Sequence, residues 1–579
     1  MPTLYRPSLT PIGDSLWLSA IVAILPLLSI FVTLGLLKWK AHWAGLTALA
    51  ISILVAILGF KMPTSLALLA GTEGAAYGLL PIMWIVFSAI VLYQVTVVAG
   101  RFEDLRAAFH LVSDDPRVQA IIIAFCFGAL LEALAGFGAP VAITGVMLIA
   151  VGFAPLRAAA VALLANTAPV AFGAIGIPII TAGNLTKIDY NTIGAYVGHQ
   201  TPVLAFVVPL MLVFLVDGRR GVRQTWPVAL VIGLAFGIAQ WVSATFISVE
   251  LTDVIASLVG LAAGVIMLRF WQPEGRDEAH RSLAVAREQE LVLVGAGGSN
   301  SGSSTPNGTA VDSDDVAYTS AEELDERARS LTPGRILMAL LPYLLVIAVF
   351  AASKLIDPVK NFLAGTDVKI AWPGLDGQVL TTSGTVSSST VYPFSWLSSP
   401  GSLLLICSVV VAAIYRVSPG AWIHEFVDTA VKLKFAFVTV ASVLGLAYVM
   451  NLSGQTITIG TWIAGAGAAF AFLSPILGWL GTAVTGSDTS SNALFATLQQ
   501  TAGQQAGIDP TLLVAGNSAG GVVGKMISPQ NLTIAAVAVG LVGKESDIFR
   551  KVFLWSIGLL AVICLLVGLQ STVLSWMLP

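Results

Sequence analysis

Charge is what this chain of 579 residues has least of: Asp, Glu, Lys and Arg make up 11% of it, against roughly a quarter in a soluble globular domain. That scarcity, with 56% hydrophobic residues and a mean hydropathy of +0.87, excludes a soluble cytosolic enzyme. At roughly 20 residues per span the apolar share sets a ceiling of about sixteen crossings and leaves little chain for soluble domains. Basic residues do not outnumber acidic ones, 29 against 32, so the cationic surplus that nucleic-acid binding needs is missing. Cys126, Cys407 and Cys564 lie singly in apolar runs without CxxC or Cys/His spacing, which gives neither a disulfide framework nor a metal site. The five histidines are scattered and no HExxH occurs; no cofactor is expected. One GxSxG match, Gly516-Asn-Ser-Ala-Gly520, falls in an interrupted apolar stretch rather than at a strand-to-helix turn, so the nucleophile-elbow context is absent. Met1–Ser15 has no cleavage box of small residues, and the first apolar run is expected to be a retained span.

What the chain does have is apolar windows of spanning length. They run at Leu16–Leu37, Trp43–Phe60, Ala76–Val98, Tyr196–Val216, Pro227–Ser248 and Leu251–Trp271, then Arg335–Lys354, Ser399–Tyr415, Ala430–Met450 and Val552–Trp576. Three further stretches, Val118–Phe153, Leu156–Asn184 and Ile459–Val542, are apolar but interrupted by Gly, Pro, Asn, Ser and Thr. Lys38 and Lys40, Arg219, Arg220 and Arg223, Arg416, and Lys544, Arg550 and Lys551 occupy short loops; placing these in the cytoplasm puts both termini and the loop Leu355–Ser398 outside. Between the two groups of windows, Gln272–Thr332 carries twelve acids, five arginines and a Gly/Ser/Asn/Pro centre. Such a composition cannot bury enough apolar surface to fold alone and predicts a flexible cytoplasmic linker.

The interrupted stretches match one another across that linker. Asn166-Thr167-Ala168, Gly173 and Pro178 correspond at one constant offset to Asn517-Ser518-Ala519, Gly524 and Pro529, with Gly136 and Gly486 one residue short of it. If Val118–Phe153 and about Thr461–Thr501 are re-entrant hairpins, the order span, span, span, hairpin, broken helix, span holds twice with opposite orientation. Interrupted backbone at membrane depth is tolerated only where protein or a wet cavity surrounds it, and in an inverted repeat it marks a secondary transporter. The expected fold is an all-α polytopic membrane protein with about twelve transmembrane helices and two re-entrant hairpins in an inverted repeat. Its parts are a first half (1–216), a connecting helix pair (217–271), the linker (272–333) and a second half (334–579).

Polar groups at the breaks are the candidate site. Gly136, Phe137 and Gly138 form the first tip, with Pro140 suited to open the returning helix. Ser487, Asp488, Thr489, Ser490, Ser491 and Asn492 form the second, more polar groups than helix capping alone requires. The broken helices add Asn166, Thr167, Asn517 and Ser518. Helix N-termini with neutral donors favour an anion, and a small carboxylate is the natural guest. Glu132 is either a proton carrier or a carboxylate satisfied by backbone donors. Asp488 is open to proton carriage, cation binding or, first of all, capping. Lys525 is free to pair with the guest, with Asp488 or with Glu132, or to snorkel to an interface. Arg157, Lys187, Asp189 and His199 read as interfacial.

Four stretches resemble the lactate permease family: Glu132-Ala-Leu-Ala-Gly-Phe-Gly-Ala-Pro140, Asn166-Thr-Ala-Pro-Val-Ala-Phe-Gly-Ala-Ile-Gly-Ile-Pro178, Thr485-Gly-Ser-Asp-Thr-Ser-Ser-Asn-Ala-Leu-Phe495 and Gly516-Asn-Ser-Ala-Gly-Gly-Val-Val-Gly-Lys-Met-Ile-Ser-Pro-Gln-Asn531. The resemblance covers nearly the whole chain and implies proton-coupled symport of L-lactate and related 2-hydroxymonocarboxylates (D-lactate, glycolate) across a bacterial-type plasma membrane. An ion-coupled transporter of another small organic anion, a dicarboxylate or gluconate, is the alternative. A dicarboxylate favours a second strong cationic site, whereas Lys525 alone stands out here.

Overall fold

Backbone N–H and C=O groups in hydrocarbon must pair within their own segment, so apolar windows fold as helices. In the computed structural model, which describes residues 4–579 apart from 38, 111, 135, 137, 296–326, 328, 383, 542 and 543, ten helices are long and apolar enough to cross a membrane. They become eleven if Pro155–Ala165 and Val170–Thr186, bent by 62°, count as one broken span. The chain is thus a helical, multi-pass membrane protein. The count falls below the expected twelve spans partly because two windows, Tyr196–Val216 and Pro227–Ser248, are joined in the 46-residue stretch Pro202–Ile247. Gly218, whose φ of 63° and ψ of −150° are not helical, breaks that stretch into two arms. Leu58, Phe246, Ile266 and Leu554 face outward, an apolar surface suited to lipid.

The interior is built from two helical hairpins and two broken helices. α1 (Pro116–Leu134) and α2 (Ala139–Ala150) make the first hairpin. Gly136 and Gly138 turn it with φ of 47° and 89°, and Pro140 opens α2 as expected. Every residue of α1 is buried, which places its turn in protein rather than lipid. α3 (Pro155–Ala165) and α4 (Gly173–Thr186) are the first broken helix, with Ala174, Ile175 and Gly176 all left-handed. α5 (Pro202–Val242) and α6 (Thr252–Phe270) follow. α7 (Phe470–Thr485) and α8 (Asp488–Ala506) form the second hairpin, turning at Gly486 with φ 77°. α9 (Pro510–Gly524) and α10 (Pro529–Ala538) are the second broken helix, divided by a single tight turn, Lys525–Ile527. The pairs interlock: α2 packs on α10, and α4 on α8.

The loop Leu355–Ser398 carries secondary structure of its own. It contains the short helix Asp357–Ala364 and a two-stranded antiparallel sheet, β1 (Val368–Ala371) with β2 (Val391–Phe394). Tyr5 pairs with Val379 in this loop, and its hydroxyl lies 3.0 Å from the Phe60 carbonyl and 2.9 Å from that of Ser453.

Both ends of the segment 272–333 are tied to the helices. Arg276–Gly295 is helical, with Ala279 and Leu283 buried; the Gly/Ser/Asn/Pro centre of the expected linker lies almost entirely outside the described residues. Arg117, at the foot of α1 and fully buried, uses all five N–H groups, on Asp115, Asp217, Gln224 and the Glu274 carbonyl. At the far end, Arg327 (3.0 Å) and Arg335 (2.6 Å) join Arg101 (3.1 Å) on Asp104 of the helix Arg101–His110, outside the spans. Burial raises the Asp104 pKa, but the hydrogen bonds from the three arginines outweigh it and hold the carboxyl below its usual range. A depressed carboxyl stabilises the fold above its unfolded pKa of about 3.9 and loses that contribution as pH falls through the folded value. Asp104→Asn is therefore expected to lower stability by about 1–2 kcal/mol at neutral pH, the arginines being partly solvated, and to weaken the fall in melting temperature below about pH 4. An unchanged acid limb in the variant would remove Asp104 from this role.

Candidate substrate site

The two hairpin tips meet beside the two helix breaks and enclose a cleft of about 30 Å³. Glu132, Gly136, Gly173 and Pro178 line it from the first half, and Ser487, Asp488, Thr489 and Lys525 from the second. That volume holds a water or two and is smaller than a lactate ion, so a guest of that size requires the tips to separate. A wider groove of about 540 Å³ between the helix Arg276–Gly295 and Gly152 is lined by His280, Leu283, Arg287 and Glu288; none of its lining residues belongs to a tip or a break, and the convergent buried chemistry belongs to the small cleft.

At its centre is a buried ion pair. Lys525 Nζ donates to Glu132 Oε1 at 2.7 Å, and Asn166 Nδ2 donates to Glu132 Oε2 at 2.9 Å. The two partners are 6% and 3% exposed, which removes snorkelling as the role of Lys525. The local backbone makes the pair feasible: a Cβ on Gly173 would stand 2.7 Å from Glu132 Oε1, so only glycine leaves room for the carboxylate. An ammonium has three donors; with one on Glu132, two remain for a guest.

Asp488 lies across the cleft at the start of α8, but Ser487 performs the capping expected of it, its Oγ accepting from Ser490 N at 3.4 Å. The Asp488 carboxylate instead receives Thr482 Oγ1 at 3.5 Å and Asn492 Nδ2 at 3.4 Å. Asn492 also donates to Ser518 Oγ at 2.6 Å and to the Pro178 carbonyl at 3.1 Å, joining α8 to the break of the other half.

Other candidates have structural partners. Thr167 Oγ1 donates to the Leu164 carbonyl at 2.7 Å, and Ser491 Oγ to that of Gly478 at 2.9 Å. Asn517 Nδ2 donates to Asn492 Oδ1 at 2.9 Å and its Oδ1 accepts from Gln499 at 3.3 Å. Gly138 rests against Ile534 and Asn531 rather than on the cleft; Thr489 and Ser490 are buried at the α8 N-terminus. Phe137 lies outside the described residues.

Sequence reasoning passed over Gln499, which ties Ser474 to Asn517, and Asn531, whose Nδ2 holds the Gly486 carbonyl at 3.2 Å. It also passed over Asp253, a buried acid near the start of α6. An acid inside a window otherwise read as a plain span is the signal that was available for it.

The L-lactate permease family model matches residues 19–574. The L-lactate permease of Bacillus subtilis (strain 168) is 40% identical over 98% of this chain and 99% of its own length. Glycolate permease GlcA of Escherichia coli (strain K12) is 40% identical over 98% of each chain, and the L-lactate permease of the same strain 40% over the whole of both. With a family model spanning nearly every helix and relatives alike from end to end, this chain belongs to the L-lactate permease family.

Proposed function

We propose that the protein takes up L-lactate and related 2-hydroxymonocarboxylates, D-lactate and glycolate among them, by symport with a proton across the plasma membrane. The observation that carries this reading is the buried Lys525–Glu132 pair between the two tips. A monocarboxylate entering the cleft competes with Glu132 for the ammonium. Once Lys525 turns to the guest, Glu132 is left buried without its countercharge and takes up a proton instead. One anion and one proton then enter together, and the cycle is electroneutral. Asp488, held by neutral donors at the opposite wall, is the second proton-carrier candidate. Hydroxyls and amides around it, Ser487, Thr489 and Asn492, offer donors and acceptors for a 2-hydroxyl. The relatives named as lactate and glycolate permeases support the substrate class.

A single buried lysine on the cleft favours a monocarboxylate over a dicarboxylate. In this reading 1–216 and 334–579 are inverted halves with two re-entrant hairpins among about twelve spans, 217–271 joins them, and 272–333 connects them in the cytoplasm. Purified protein in liposomes is expected to accumulate lactate under an imposed inward pH gradient and not under a sodium gradient, with glycolate competing and succinate not. Accumulation driven by sodium alone, or strong inhibition by succinate, would replace this reading.

A further inference from the structure

Asp253 is a fourth charge-bearing side chain of the buried interior near the cleft, beside Glu132, Lys525 and Asp488. It is fully buried at the second residue of α6. Its Oδ1 receives one long hydrogen bond, 3.4 Å from Gln240 Nε2 of α5, and its Oδ2 has no hydrogen-bond partner among the described residues. Gln240 Nε2 also donates to the carbonyl of Ala168 at 3.1 Å, next to Asn166 and Thr167 in the first break, while its Oε1 accepts from Thr201 at 3.3 Å. α6 packs against Gly128–Leu134, the end of α1 that carries Glu132. Glu250, on the approach to α6, is engaged by Tyr190 and Ser248.

We propose that Asp253 is a proton-holding site that exchanges its proton with Glu132 during transport. The inference rests on the proton-coupled reading above. Glu132, Asp253 and Asp488 are three buried carboxyls with one buried ammonium, Lys525, among them, so the set is neutral only when two of the carboxyls carry protons. Glu132 is bonded through both oxygens to cationic or amide donors, so it is the ionised member. Asp253, with one weak donor and one bare oxygen, is the group built to hold the neutral acid. When a guest carboxylate takes Lys525, the O–H bond on Asp253 breaks and one forms on Glu132, directly or through water. Asp253 is then reprotonated from the aqueous side. Helix-start acids are commonly dipole partners, but that role leaves no reason for a bare, fully buried oxygen.

The test is Asp253→Asn in proteoliposomes, read by two assays: lactate accumulation under a pH gradient, and lactate/lactate exchange at equal pH, which needs no net proton movement. The ratio of accumulation to exchange is expected to fall at least tenfold, with Asp253→Glu recovering part of it. A ratio equal to wild type, or the same low ratio in Asp253→Glu as in Asp253→Asn, would overturn the proposal. Should the asparagine variant not assemble, Gln240→Leu reads the carboxyl through its donor: the pH dependence of the ratio shifts if Asp253 holds the proton, and an unshifted profile rejects it. Failure of the symport reading itself is distinct, because the wild-type protein would then lack pH-driven accumulation.

Discussion

Lys525→Ala is expected to abolish lactate uptake, by more than 100-fold, and to destabilise the folded protein by about 3–5 kcal/mol, since it strands Glu132 as a buried charge. The double variant Lys525→Ala/Glu132→Gln separates the two effects. Removing both charges relieves the uncompensated carboxylate, so most of the lost stability is expected to return while uptake stays absent. Melting temperature in detergent and uptake in proteoliposomes read the two quantities on the same preparations. Uptake by Lys525→Ala within threefold of wild type would remove the ammonium from substrate binding, and equal melting of the single and double variants would show that the pair is not coupled in the fold.

Gly478→Val is expected to have the largest effect on assembly. α7 and α9 cross with backbone against backbone: a Cβ at Gly478 would collide with the Asn517 carbonyl oxygen, one at Gly520 with that of Pro475, and one at Gly524 with that of Trp479. Backbone cannot rotate away as a side chain can, so overpacking here exceeds the usual 1–3 kcal/mol of a core insertion. Asn517 carries the Asn492–Gln499 bonds, so displacing it also opens the polar chain behind the second tip. Loss of the folded, monodisperse species in detergent is the expected readout. Gly558→Ala, where nothing lies within 4 Å of the new Cβ, is the control and should melt within about 0.5 kcal/mol of wild type. Normal folding of Gly478→Val would mean that the two helices separate more easily than their contact implies.

Much of the architecture was legible because membrane folding has few solutions. Gly136 and Gly486 mark the two turns, and Pro140 a helix start, where they were expected, since proline at a first helical turn and glycine at a positive φ are local requirements. Tyr196–Val216 and Pro227–Ser248 are two arms that meet at Gly218, where a φ of 63° and ψ of −150° break the helix just before Arg219, Arg220 and Arg223; spacing alone placed the division there but not the shortness of the turn. Asp488 was read as a cap by its place in the sequence; whether it or Ser487 takes the Ser490 N–H depends on side-chain direction, which spacing does not fix.

The sequence by itself determined the class: too little charge for a soluble protein, apolar windows of spanning length, and polar residues gathered at matched interruptions. Those are local and compositional properties, set by what lipid and the helical backbone permit. Tertiary structure decided the partners. Lys525 could have met a guest, Asp488, Glu132 or an interface; it meets Glu132, 393 residues away in sequence, because the tip of one half packs against the break of the other. Buried charges are assigned by three-dimensional proximity in a low-dielectric interior, where an unpaired ion is costly. Asp253 divides in the same way: an acid inside an apolar window is visible in the sequence, but its one long hydrogen bond and its Oδ2, unpaired among the described residues, are visible only in the fold.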